Sequence, residues 1–273
     1  MEELKKIFKG LSEKSEDRYN NFKIIEISSI KSISDKAYLE KPVWLGGNQK
    51  FVCVFIDLGN STLISNYKGR KEVAKIYDYF TQNIVDIFEI PEITADYIDI
   101  KGDGAFGLYE GEKAIFKSLV AAVTFKTFFA KFIKNKFTTL GENLKAKISI
   151  NQDMILVKKI GRRDYYNEVW AGKLVNNAFK IASLNEEILK KDVNIPEDLI
   201  IISEDIYDKL KSKEDYAIQS CGHDLNGKTI DKKNLWSKFV SSENNSQYKN
   251  PVYYLGTIWC DICGDRYLRE ILS

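Results

Sequence analysis

The chain has 273 residues, 44% hydrophobic and 29% charged, and 41 Lys and Arg against 39 Asp and Glu leave a net charge of +2. That is a globular composition, long enough for one large domain with additions, and without the strong positive excess of a dedicated nucleic-acid binder. No apolar run reaches the roughly 20 residues of a membrane span, and the start MEELKKIFKGLSEKSEDRYNNF is too charged for a signal peptide, so a cytoplasmic protein is expected.

In chain order, residues 1–45 read as a helix, an extended FKIIEISSI segment and a loop ending at Pro42. FVCVFIDL (51–58) is a continuous apolar run of strand length, suited to burial on both faces. It ends in Gly-Asn-Ser-Thr, where Ser61 or Thr62 can cap a helix. From Arg70, the apolar residues Val73, Ile76, Tyr77, Phe80, Ile84 and Ile87 recur at helical spacing. A hairpin follows over 94–109, its Gly102-Asp103-Gly104 tip suited to a type I′ turn. Then come a helix over 112–136 and strands over 144–151 and 154–160. Leu174, Val175, Ala178, Ile181 and Ala182 mark another helix. Beyond Pro196 lie strand LIIIS, helix SEDIYDKLK, a strand near YAIQSC, a polar loop and a final strand PVYYLGTIW. The order predicts an α+β fold with helices on one face of a mostly antiparallel sheet. It divides into an N-terminal helix and extended segment (1–45), a main domain (46–215) and a C-terminal extension packed on it (216–273).

Two carboxylates carry the chemistry. Asp57 ends the first buried strand and Asp103 sits at the hairpin tip. In a strand–helix–hairpin unit these points meet at one sheet edge, where two carboxylates repel unless a cation joins them. Hard oxygen ligands suit Mg²⁺ or Mn²⁺ with phosphate oxygens. Gly59-Asn60-Ser61-Thr62, opening a helix, adds backbone N–H groups for a triphosphate. With His223 as the sole histidine, a His-based triad is unattractive. Cys53 reads as a core residue. Cys221, His223, Cys260 and Cys263 suit a structural Zn²⁺, but a single Cys-x-x-Cys favours reduced thiols.

Four collinear blocks over residues 50–210 resemble class III nucleotidyl cyclases. These are FIDLGNST, DIKGDGAFGLY, VWAGKLVNNAFKIAS and IIISEDIYDKL. The resemblance implies a ferredoxin-like catalytic domain and a homodimer with active sites at the interface. It implies two divalent metals per site, held by Asp57, Asp103 and the backbone carbonyl of Leu58. Asn176 then positions the ribose from the partner subunit. Lys180 stands where the family usually carries a transition-state Arg, with Arg162 or Arg163 as substitutes. A Lys offers a point charge in place of a planar fork.

The family reads the base at two positions, here Asp99 and Val169. Neither matches the adenine pair, whereas a carboxylate at Asp99 accepts from uracil N3–H or the cytosine amino group. Tyr97 or Trp170 supplies bulk against a purine. The WLGGNQKFVCVFIDLGNST lead-in and the Trp-Cys-x-x-Cys tail further resemble the Pycsar pyrimidine cyclases of antiphage defence. That implies UTP as substrate, Mn²⁺ as the usual metal, and cyclic UMP acting on a separate effector. Alternatives are a cytidylate cyclase, an adenylate cyclase or an inactive nucleotide-binding module. An RNA-binding sheet wants exposed rings on its central strands, and FVCVFIDL is too apolar on both faces to favour that reading.

Overall fold

The run Phe51–Leu58 is apolar at odd and even positions alike, so both of its faces need cover. The computed structural model, which describes residues 2–34, 43–137, 144–162, 165–192, 194–211, 217–224 and 228–273, shows how each face is covered. The elements are α1 (Glu2–Asn20), β1 (Ile24–Ile27), β2 (Trp44–Gly59), α2 (Ser61–Tyr67) and α3 (Arg70–Phe88). Next come β3 (Tyr97–Lys101), β4 (Gly104–Tyr109), α4 (Ala114–Phe128), β5 (Lys145–Arg162), β6 (Tyr165–Trp170), α5 (Lys173–Ser183) and α6 (Asn185–Lys191). The chain closes with β7 (Ile200–Ser203), α7 (Glu204–Leu210), β8 (Ser237–Phe239), β9 (Val252–Leu255) and α8 (Gly264–Leu272).

One sheet runs β3-β4-β2-β5-β7-β9-β8, with β1 added to β2 and β6 to β5. Its pairings are antiparallel except β1 with β2 and β5 with β7. The α+β fold is as expected from the sequence. Val52, Val54 and Ile56 of β2 pack with Ile76, Phe80 and Ile84 of α3 and Leu119 and Phe125 of α4. Phe80 meets the rings of Phe125 and Phe129 edge-on at 5.4 and 5.9 Å, and truncating it to Ala would cost about 3–5 kcal/mol. The alternate residues Phe51, Cys53 and Phe55 pack on the other side with Leu174, Ala178 and Ala182 of α5. The expected helix layer therefore forms, and α5 adds cover to the second apolar face. Ser149 Oγ donates to Ala178 O at 2.6 Å and Asn151 Nδ2 to Leu174 O at 2.9 Å, fixing α5 on β5. Cys53 is buried as expected, and burial pushes its thiol pKa up.

Several local expectations change. Residues 145–162 form one strand, paired with β2 over most of its length, because the central Gln152-Asp153 stays in the ladder. Asn60, at φ 62°, is the α2 N-cap residue, so neither Ser61 nor Thr62 takes that place. At the hairpin tip Gly102 has φ 64°, and among the described residues Asn60 is the non-glycine with positive φ. Positive φ at the first central residue alone is the type II′ pattern, not I′. The strand near YAIQSC reduces to a bridge between Gln219 and Asn234, and Tyr216 lies outside the described residues, as does the loop to Pro42. The C-terminal α8 was hidden in a short, charged amphipathic segment.

Candidate active site

Asp57 lies near the end of β2, paired across the sheet with Lys147 of β5, while its neighbour Ile56 pairs with Ala105 of β4. The hairpin tip approaches so closely that a Cβ on Gly104 would stand 2.6 Å from Ile56 O and 2.7 Å from Asp57 Oδ1. Only glycine permits that approach, and it brings Asp103 beside Asp57. Burial and the charge of Asp103 push the Asp57 pKa up to about 6, against the opposing pull of Lys147 and a hydrogen bond from Leu58 N–H. Asp103 Oδ2 is buried and has no hydrogen-bond partner among the described residues. A buried carboxylate oxygen left unpaired is costly, and two adjoining carboxylates compound the cost. The all-oxygen donor set, with one oxygen orphaned, fits a hard divalent cation.

Asp57 and Asp103 open onto a cleft of about 560 Å³, also lined by Lys101, Glu168, Val169, Trp170, Asn176 and the rings of Phe55, Phe106 and Phe179. One chain thus gathers the carboxylate pair, Val169 and Asn176 at a single cleft. Asn176 sits in the first turn of α5, its amide donating to Gly172 O at 3.0 Å. Gly172 packs against β5, where a Cβ would meet Leu156 N at 2.9 Å.

Asp99 does not line the cleft itself. Its Oδ2 accepts from Trp170 Nε1 at 3.0 Å and pairs with Lys101 Nζ at 2.7 Å. Trp170 is packed by Tyr97 at 5.5 Å and Phe106 at 5.1 Å between ring centroids. Burial, then the charges of Glu168 and Asp99, push the Tyr97 pKa up. Lys180 and the segment Gly59–Thr62 are not among the cleft-lining residues. Arg163 lies outside the described residues, as does the side chain of Arg162. Cys221, His223, Cys260 and Cys263 gather away from this cleft, with ligand atoms within 4.8 Å of one another.

Sequence reasoning missed Lys101, Glu168 and Lys147. Lys101 was findable, because it lies two residues after Asp99 and so shares its strand face. Lys147 emerges only from the register of β2 against β5.

No family model matches the chain. A protein named uridylate cyclase from Propioniciclava tarda is 31% identical over 229 residues, spanning 81% of this chain and 68% of that protein. Another so named, from Micromonospora echinofusca, is 28% identical over 233 residues, spanning 81% and 69%. Among solved structures, the guanylyl cyclase Cya2 superposes with a TM-score of 0.52 at 17% identity, over 76% of this chain and 90% of that one. The adenylyl cyclase CyaB from P. aeruginosa gives 0.55 at 14% identity, over 80% and 98%. At those identities the structural likeness concerns the fold.

Proposed function

This chain belongs to the class III nucleotidyl cyclases, in the family whose relatives are named uridylate cyclase, and from that premise we propose that it converts UTP to 3′,5′-cyclic UMP and pyrophosphate. The ribose 3′-hydroxyl gives up its proton to solvent, its oxygen attacks the α-phosphorus, the bond from that phosphorus to the oxygen bridging to the β-phosphorus breaks, and pyrophosphate leaves. The observation that carries the reading is the Asp57–Asp103 pair on the cleft wall, with Asp103 Oδ2 buried and without a hydrogen-bond partner among the described residues. Asp57, Asp103 and the Leu58 carbonyl are the residues to hold the divalent metals. Mn²⁺ or Mg²⁺ bound there supplies charge neutralisation for the triphosphate and a lower pKa for the 3′-hydroxyl.

The protein's own groups bind and orient. Asn176 holds the ribose in line for attack, and Lys180 brings positive charge to the α-phosphate. Gly59–Thr62 offers N–H groups to the triphosphate end. Asp99, held by Lys101 and Trp170, keeps lone pairs for uracil N3–H, since a carboxylate has about four acceptor positions. Val169 offers no acceptor to an adenine amino group. Asn176 lines the same cleft as Asp57 and Asp103 in its own chain; in the proposed homodimer the two clefts face one another, so that Asn176 and Lys180 of one subunit act on the triphosphate held at Asp57 and Asp103 of the other. Exposed Val169 and Phe179, both on the cleft, form apolar surface that such a partner covers. Residues 46–215 make up the catalytic domain, flanked by the segments 1–45 and 216–273. In the cell, cyclic UMP acts as a second messenger in antiphage defence by switching on a separate effector.

The test is Asp57→Ala and Asp103→Ala, each assayed with UTP and Mn²⁺. Cyclic nucleotide formation should vanish while circular dichroism and dimer mass stay unchanged. A rate within a few-fold of wild type in either variant removes that carboxylate from the site.

A further inference from the structure

The cyclase chemistry leaves the cysteines and the histidine of the tail unused, and the fold brings four of these side chains together. Cys260 and Cys263 bracket the turn into α8, which is closed by Gly264 N–H donating to Cys260 O at 2.8 Å. Cys221 and His223 flank Gly222, whose φ of 82° turns the chain, and Ile230 N–H closes on Gly222 O at 2.8 Å. Three sulfurs and one imidazole nitrogen lie within 4.8 Å of one another. None of these cysteines is in a disulfide. His223 Nδ1 is buried and finds no hydrogen-bond partner among the described residues. Buried polar atoms are normally satisfied, so this nitrogen points to a missing ligand.

We propose that Cys221, His223, Cys260 and Cys263 bind a structural Zn²⁺. Zinc bonds of about 2.3 Å to sulfur and about 2.0–2.1 Å to nitrogen set tetrahedral ligand separations of about 3.5–3.8 Å. From separations of at most 4.8 Å, the four atoms need to close by no more than about 1.0–1.3 Å to meet that geometry. Four protein ligands fill a tetrahedral shell and leave no open position, which is the structural and not the catalytic arrangement. A redox dithiol needs Cys260 and Cys263 alone and leaves the gathering of Cys221 and His223 without a reason.

The ion joins segments that have little ladder pairing of their own. Trp259 N–H donates to Thr127 Oγ1 at 2.9 Å and Trp259 Nε1 to Thr124 Oγ1 at 3.1 Å, both on α4. Tyr267 OH of α8 donates to Ser220 O at 3.3 Å. The zinc therefore clamps α8 and the 217–224 segment onto α4, the helix that backs β2. Zinc bound in this way is coupled to folding of the tail.

The test is elemental analysis of the full chain, purified without chelator. About one zinc per chain is expected, retained in Asp57→Ala and Asp103→Ala and lowered at least about tenfold in a Cys260→Ser/Cys263→Ser variant. His223→Cys should keep the ion and His223→Ala should lose it. Should the serine variant fail to fold, cobalt exchange into wild-type protein supplies the second readout. Strong tetrahedral ligand-field bands and a thiolate-to-cobalt charge-transfer band are expected. Zinc well below stoichiometry together with a weak octahedral cobalt spectrum overturns the proposal. So does zinc retained without Cys260 and Cys263, or a Cys260–Cys263 disulfide found by mass spectrometry.

Discussion

Replacing Asp57 by Asn separates what the fold tolerates from what the chemistry needs. Burial and the neighbouring Asp103 raise the Asp57 pKa from 3.8 to about 6. At 1.36 kcal/mol per unit, that amounts to about 3 kcal/mol against the folded state once the group is ionised. Asp57 is only partly buried, so solvent screening cuts the figure to about 1–2 kcal/mol. The sign follows from proton linkage. A carboxyl with a raised folded-state pKa holds its proton more tightly when folded, so the penalty is absent below about pH 4, grows between about pH 4 and 6 and is complete above about pH 6. In buffer free of divalent ions, Asp57→Asn should therefore melt about 2–6 °C above wild type at pH 8. That advantage should fade as the pH falls toward about 4.5. Manganese reverses the order: at a hundredfold excess over Kd the wild type gains about 2.7 kcal/mol, and the variant gains little. Thermal melts across pH, with and without Mn²⁺, read all of this. Equal stability of the two proteins from about pH 5 to 8, or equal stabilisation by Mn²⁺, refutes the paired-carboxylate reasoning.

Gly104→Ala places a methyl 2.6 Å from the Ile56 carbonyl and pushes Asp103 away, costing about 1–3 kcal/mol of stability and about a hundredfold in initial rate. A near-native rate contradicts the close approach. Mixing inactive Asp57→Ala and Asn176→Ala chains at equal amounts should restore about a quarter of wild-type activity, since half the dimers are mixed and each holds one intact site. Demonstrated subunit exchange with no activity contradicts the shared site. Asp99→Ala should weaken discrimination for UTP by about ten- to a hundredfold, seen as a change in relative kcat/KM, and should cost about 1–3 kcal/mol of stability because Trp170 Nε1 loses its acceptor.

The carboxylate pair was legible because its signals are local. Asp103 stands between two glycines in an alternating hairpin, and Asp57 closes an apolar run too hydrophobic for anything but a central strand. What stayed hidden depends on pairing between distant segments. Lys147 acquires its influence on Asp57 from the β2–β5 register alone. The union of residues 145–162 into one strand was masked by Gln152 and Asp153, which read as a loop but are held by β2. The hydrogen bond from Trp170 to Asp99 joins β3 to β6, a strand whose YYNEVW carries little alternation. Cys221, His223, Cys260 and Cys263 were legible as a candidate ligand set, but their closeness, which reduced thiols do not require, depends on the tail folding back along α4.

The central claim is pyrimidine cyclisation, and one competition assay addresses it. Wild-type protein is incubated with ATP, GTP, CTP and UTP at equal concentration and Mn²⁺, and the cyclic products and pyrophosphate are quantified by mass spectrometry. Cyclic UMP should dominate, with pyrophosphate in equal amount and no product from the Asp57→Ala control. Cyclic AMP or cyclic GMP as the main product, or no cyclic nucleotide from any of the four, would contradict the account.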